Sequence, residues 1–326
     1  MKICVYGAGA VGGYIAARLA LSGKNVTAIA RGSHLEAIKK NGLKLLVRDE
    51  VFNVNLQATN DPHEAGIQDL VILTVKGPSL SGVVDHIKPL LNEETPIIFA
   101  MNGIPWWYFY GIDEPGKERQ FDILDPGNRL WNEIRPERAV GGVVFSADIV
   151  VEPGVVRNNT PDRNLLIIGE PNGTVSKRCK SINRSLNISD LSVSVVDDIR
   201  YEIWNKLLAN MAFAPICTLT SSTIGDVILD KDLRVLALET MREAVFIANA
   251  LGVKLDIDLE ERINSGMKAM THKPSMLQDF ELGRPMEICS ILLTPQIFGR
   301  MTGVPTPNLD TLISLLKIKA RNAGLY

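Results

Sequence analysis

At 326 residues the chain is too long for one ordinary hydrophobic core, so two domains are the natural expectation. A formal net charge of -2, with 46% hydrophobic and 22% charged residues, describes a globular protein and leaves no basic footprint of the kind nucleic-acid binding needs. No signal peptide precedes the first strand, and the longest apolar stretch, 207–219, is interrupted by Asn210 and Pro215 and too short to span a bilayer, so a cytoplasmic protein without membrane attachment is expected.

The N-terminal apolar run Ile3, Cys4, Val5, Tyr6 reads as a strand that turns at once into the glycine-rich segment Gly7, Ala8, Gly9, Ala10, Val11, Gly12 and then a helical pattern. This is the order of a dinucleotide-binding turn. Gly7 makes the tight bend, Gly9 lets main chain approach a pyrophosphate, Gly12 lets helix and strand pack closely, and the helix N-terminus receives the phosphate charge. Residues 25–30 read as the second strand, 35–41 as a short helix ended by Gly42, 43–56 as alternating strand patterns, and 70–75 and 96–101 as continuous apolar strands of a sheet buried on both faces. Strands alternating with helices predict a parallel, doubly wound α/β sheet of Rossmann type.

The stretch 104–138 lacks periodicity and is long for a loop, which marks it as functional or as an insertion with its own structure. Its aromatic run, Trp106 to Tyr110, follows Asn102 and Gly103 at the carboxyl end of a strand, where open α/β sheets bind ligands, so it is expected to line or cover a substrate cleft. Core packing or subunit contact is the competing expectation. Further strands are predicted over 140–145, 155–158 and 165–168. Strand signals then give way to helical patterns over 199–211, 232–251, 259–270 and 307–322. The boundary is placed near residue 196, dividing a cofactor domain (1–196) from an all-helical substrate and catalytic domain (197–326). The cysteines, Cys4, Cys179, Cys217 and Cys289, lack metal-site or disulfide spacing and are expected as buried small apolar residues. No metal is expected.

About twenty residues past the glycines, an acid would hydrogen-bond the ribose of NAD, whereas an arginine accommodates the extra phosphate of NADP. Here the strand ends Ala30, Arg31, Gly32, Ser33, with no carboxylate. A guanidinium grips a phosphate bidentately and Ser33 adds a hydroxyl, so NADP(H) is the expected cofactor.

Three further segments carry polar residues in a distinctive order: Thr74, Val75, Lys76 with Asn102 and Gly103; Trp204, Asn205, Lys206, Leu207 with Asn210; and Ser275 to Asp279 followed by Gly283, Arg284, Glu287 and Ile288. With the glycine turn and Arg31, this set resembles the ketopantoate reductase (2-dehydropantoate 2-reductase) family along nearly the whole chain. Reducing a ketone puts negative charge on its oxygen, which calls for a positioned acid, and a lysine is protonated at neutral pH. The resemblance implies that Lys206 is the general acid, with Glu287 beside it. It implies further that Asn102, Asn210 and Ser275 bind substrate, that Asn102 also meets the cofactor, and that Lys76 lies near the cofactor. Lys206 and Asn210, four residues apart, share one face of the predicted helix.

The pattern also departs from the family. Ala214 stands where a second asparagine is common, His272 replaces an asparagine before Ser275, Cys289 replaces an aspartate, and Pro295 enters a predicted helix and should kink it. The reading is therefore NADPH-dependent reduction of 2-dehydropantoate to pantoate, a step of pantothenate synthesis. Reduction of a different 2-oxo acid is the first alternative, and a non-catalytic NADPH sensor the second. A small-molecule 2-oxo acid is the expected partner, with no nucleic acid and no membrane. Apolar helical surface in the second domain makes a homodimer plausible.

Overall fold

A computed structural model describes residues 1–112 and 121–325, with only the backbone of Lys268. The chain forms two compact units: residues 1–101 with 106–199, and residues 102–105 with 200–326. A single cut near 196 therefore misses that the short piece after residue 101 belongs with the C-terminal unit.

The first unit is built on an eight-stranded sheet. Six of its strands run parallel: β1 (Lys2–Tyr6), β2 (Asn25–Ile29), β5 (Gln57–Thr59), β6 (Leu70–Leu73), β7 (Ile97–Ala100) and β8 (Ala139–Phe145). Next to β8 lies β11 (Leu165–Gly169), antiparallel to it, and β12 (Ser192–Val196) closes that side parallel to β11. The order is β5-β2-β1-β6-β7-β8-β11-β12. The chain leaves β1 toward β2 on one side and returns to β6 on the other, which makes the carboxyl ends of β1 and β6 the switch point where such sheets bind ligands.

A second sheet of four strands, β4-β3-β10-β9, joins the hairpin β3 (Leu43–Val47) and β4 (Glu50–Val54) to β9 (Asp148–Glu152) and β10 (Val155–Asn158). The first helix, Ala10–Leu21, packs between β1 and this sheet, and Val156 sits so close to it that a Cβ at Gly13 would lie 2.8 Å from the valine Cγ2. Ile3, Val5, Leu70, Ile72 and Ile98 are fully buried, as strands covered on both faces require.

Trp106, Trp107, Tyr108 and Phe109 are also buried, at 3%, 1%, 1% and 4% exposure. Trp106 meets Phe99 and Trp131 edge to face, and Trp107 lies against Gly141 of β8. The aromatic run is thus core of the first unit rather than a cover over a cleft. Of the stretch it opens, residues 113–120 lie outside the described residues.

The second unit is helical. The helix Ile199–Thr220 leads into it and is followed by Ile224–Leu229, Lys231–Ala250, Leu259–Asn264, Ser275–Glu281, Thr294–Thr302 and Pro307–Asn322. From Leu207 to Thr218 the first of these is buried on nearly every side, which is how a helix apolar all round must sit. That burial carries it past Pro215, where the missing N–H would otherwise end it, and beyond the predicted stop at Met211. Cys4, Cys179 and Cys217 are buried free thiols; Cys289 departs from expectation in being half-buried. No described helix is long and apolar enough to cross a membrane.

Candidate active site

In the first unit the candidate ligand groups are mainly main chain. Gly7 has φ +98°, and a Cβ there would lie 2.8 Å from Val75 Cγ1, so β1 and the segment after β6 approach as closely as backbone allows. A Cβ at Gly12 would collide with the Gly7 carbonyl and the Thr74 hydroxyl; Thr74 Oγ1 donates to that same carbonyl at 2.8 Å. Gly9, the N-cap of the first helix, is different: an added Cβ would meet no atom closer than 3.9 Å. Packing demands Gly7 and Gly12, whereas open space lies beside Gly9, the one glycine whose sequence rationale is approach to a ligand. Ala8, Ala10 and Val11 complete the turn, and no acid occupies the first helical turn to repel an anion. The residues present therefore fit a dinucleotide phosphate.

Arg31 is exposed and extended at the N-cap of the helix Gly32–Asn41, whose first turn likewise holds no acid. Lys76 is half-buried, one residue past the Val75 that packs on Gly7.

In the second unit the candidate groups are side chains. Lys206 Nζ donates to Asn102 Oδ1 at 2.8 Å, and Asn102 Nδ2 donates to Glu287 Oε2 at 3.1 Å. The amide orientation follows from its neighbours, since an ammonium has only donors and a carboxylate only acceptors. Asn102 thus bridges the lysine and the glutamate. Burial lowers the Lys206 pKa from 10.5 to about 8, against the nearby Glu287 charge, which raises it. Glu287 is 6% exposed and lies just ahead of a helical segment rather than within a first turn.

Local backbone holds this bridge in place. Gly103 has φ +80°, and a Cβ on it would lie 2.5 Å from the Ser290 carbonyl, so the 102–105 segment lies flat on the residues after Glu287. Ile104 N–H donates to the Ser290 carbonyl at 2.8 Å. Pro295, five residues on, has no N–H to offer that carbonyl. Instead of kinking a helix, the proline sits where a π-helical turn, Cys289–Leu293, passes into Thr294–Thr302.

Asn210 lies one turn beyond Lys206 and is half-buried. Ser275 is exposed at the first position of the helix Ser275–Glu281, and no bond joins it to the Lys206 bridge. His272 is half-buried, and burial lowers its pKa. Ala214, where the family often has asparagine, is buried at 3% exposure. The resemblance implies Asn102 as a substrate and cofactor contact, but no signal in the sequence marks it as the link between Lys206 and Glu287. Among the described residues no cluster of at least 3 His, Cys, Asp or Glu side chains could hold a metal ion.

The description ketopantoate reductase PanE/ApbA matches residues 3–172, and its C-terminal counterpart matches residues 198–320. A 2-dehydropantoate 2-reductase from Mesorhizobium japonicum is 41% identical over 327 aligned positions, covering 100% of both chains. Among solved structures, a candidate ketopantoate reductase from Ralstonia solanacearum MolK2 superposes with TM-score 0.93 at 35% identity, covering 100% of this chain and 99% of that one. A 2-dehydropantoate 2-reductase from Geobacter metallireducens GS-15 does so with TM-score 0.85 at 28% identity, covering 97% and 99%. From the glycine turn through the helix that carries Lys206 to the segment that carries Glu287, the chain belongs to the ketopantoate reductase family of oxidoreductases.

Proposed function

We propose that the protein reduces 2-dehydropantoate to pantoate with NADPH, and that Lys206 is the general acid. The observation that carries this reading is the Lys206–Asn102–Glu287 bridge, with a lysine pKa of about 8. The 2-oxo carbon would take its hydride from the dinucleotide when that is bound. As negative charge gathers on the carbonyl oxygen, the Lys206 ammonium donates a proton to it, and a donor with pKa near the working pH is suited to that transfer. Asn102 accepts one ammonium N–H and so orients the group, while Glu287 keeps it charged. Asn210, on the same helix face, and Ser275 would hydrogen-bond substrate oxygens.

Gly7 to Gly12 would hold the pyrophosphate, with Lys76 near the cofactor. Arg31 and Ser33 would hold the ribose phosphate that distinguishes NADPH from NADH. The exposed guanidinium and the acid-free first turn beside it support that choice.

The test is NADPH oxidation by native protein and Lys206→Ala with 2-dehydropantoate beside a panel of other 2-oxo acids. The reading expects a preference for 2-dehydropantoate and its loss in the variant. Turnover of another member alone would replace the substrate, and none at all would contradict the reading.

A further inference from the structure

The turn of helix that carries Lys206 is gripped by a second cation. Arg262 Nη2 donates to the main-chain carbonyl of Asn205 at 2.9 Å. That carbonyl and the Lys206 nitrogen belong to one planar trans peptide, so a group that holds the first also holds the second. A helical carbonyl accepts one main-chain N–H and keeps a further lone pair. A guanidinium, which stays charged, fills it with a stronger bond than a neutral donor makes.

Arg262, itself half-buried, reaches out from a segment that is braced on several sides. It sits in the helix Leu259–Asn264, which starts at Asp258; Asp258 Oδ1 accepts the N–H of Glu260 at 2.8 Å and of Glu261 at 3.1 Å. The Arg262 N–H donates to the Asp258 carbonyl at 2.8 Å. From the helix Lys231–Ala250, Arg234 donates to Glu260 Oε2 at 2.6 Å and to Asn264 Oδ1 at 3.1 Å, and Ile263 between them is fully buried. Just past this helix a Cβ on Gly266 would lie 2.8 Å from Ile228 Cδ1 and 3.7 Å from Phe213 Cζ. The segment therefore bears on the helix Ile199–Thr220 both at the Asn205 carbonyl and at Phe213, on either side of Lys206 in the chain.

We propose that Arg262 is a positioning residue for the acid: through the Asn205 carbonyl it sets the place of the helical turn from which Lys206 reaches Asn102 Oδ1. The inference rests on the reading of Lys206 as general acid and deepens it. A proton donor must be held to within about 0.5 Å of its working place, and a bond to its own peptide does this without occupying its ammonium. Once released from Arg262 the turn relaxes, the ammonium is better solvated, and its pKa rises from about 8 toward 10.5. Loss of a neighbouring positive charge acts in the same direction.

The test compares native protein with Arg262→Ala, Arg262→Gln and Arg262→Lys. The Lys206 amine is titrated by competitive labelling with acetic anhydride across neutral and alkaline pH, read by mass spectrometry of its peptide, with kcat, KM and Tm measured beside it. In Arg262→Ala the labelling midpoint should move above about 8, and kcat should fall about tenfold with KM for 2-dehydropantoate near the native value. Lysine keeps a charged donor for the carbonyl and should stay closer to native than glutamine. A midpoint left at the native value in Arg262→Ala, with Tm alone lowered, would overturn the inference while leaving the acid reading intact. If Arg262→Ala fails to fold, the other pair decides, and equal midpoints in glutamine and lysine variants would overturn the inference. Native protein that turns over no 2-oxo acid, or whose Lys206 labels at the ordinary lysine value of 10.5, would overturn both.

Discussion

The first unit offers main chain at its candidate site and the second offers side chains, and the two are held by different means. Around Gly7 and Gly12 the shape comes from close approach, where one added carbon collides with neighbouring backbone. Around Lys206 it comes from hydrogen bonds between residues 104 and 185 positions apart in the chain. The first kind of site is broken by adding atoms and the second by removing them. Gly103 is the exception: it lies in the second unit but is built in the manner of the first.

The largest break should come from Lys206→Ala. Removing a general acid costs about 10²- to 10⁴-fold in rate. Because Lys206 belongs to the side-chain site, NADPH affinity measured by titration should stay at the native value; equal losses of binding and turnover would erase the distinction between the two sites. Gly103→Ala should come next. It combines a strained positive φ with an impact on Ser290, for a cost of about 2–4 kcal/mol in denaturant unfolding. It should also lower turnover, by moving Asn102 away from Lys206. An alanine variant as stable and active as native would show that the 102–105 segment is free to shift. The smallest effect should be Arg31→Ala, in which loss of an exposed phosphate contact raises the NADPH Kd about tenfold and leaves NADH unchanged. Equal change for both cofactors would remove Arg31 from cofactor choice.

What the sequence made legible follows the same division. The glycine turn, the strands of the large sheet and the long helices rest on local signals: periodicity, glycine spacing and apolar runs. The pairing of β3 with β10 does not, because it joins residues such as Leu45 and Val156 that no local pattern relates. The helix Ile199–Thr220 outran its predicted end because burial on all sides outweighed one proline. For the aromatic run at 106–110 the sequence leaves both a cleft lining and core packing open, because residue type tells that such side chains will be buried, but not against what.

At the site, Lys206 and Glu287 were recognisable from their motifs, yet a lysine's ordinary pKa gives no hint of its value in the fold. The lowered value arises from burial, and the bridge through Asn102 exists only once residues 102–105 pack on the segment after Glu287. Ser275, by contrast, was singled out by motif and stands exposed, and nothing in its packing marks it.

The pH dependence of kcat/KM tests most directly whether this bridge tunes the acid, since it reports ionisations of the free enzyme. The proton donor must be charged, so activity should fall as pH rises through about 8, the Lys206 pKa. In Glu287→Gln the carboxylate that raises that pKa is gone, and the alkaline limb should move to lower pH. A limb that begins only near the ordinary lysine value of 10.5, or one that Glu287→Gln leaves in place, would contradict the account.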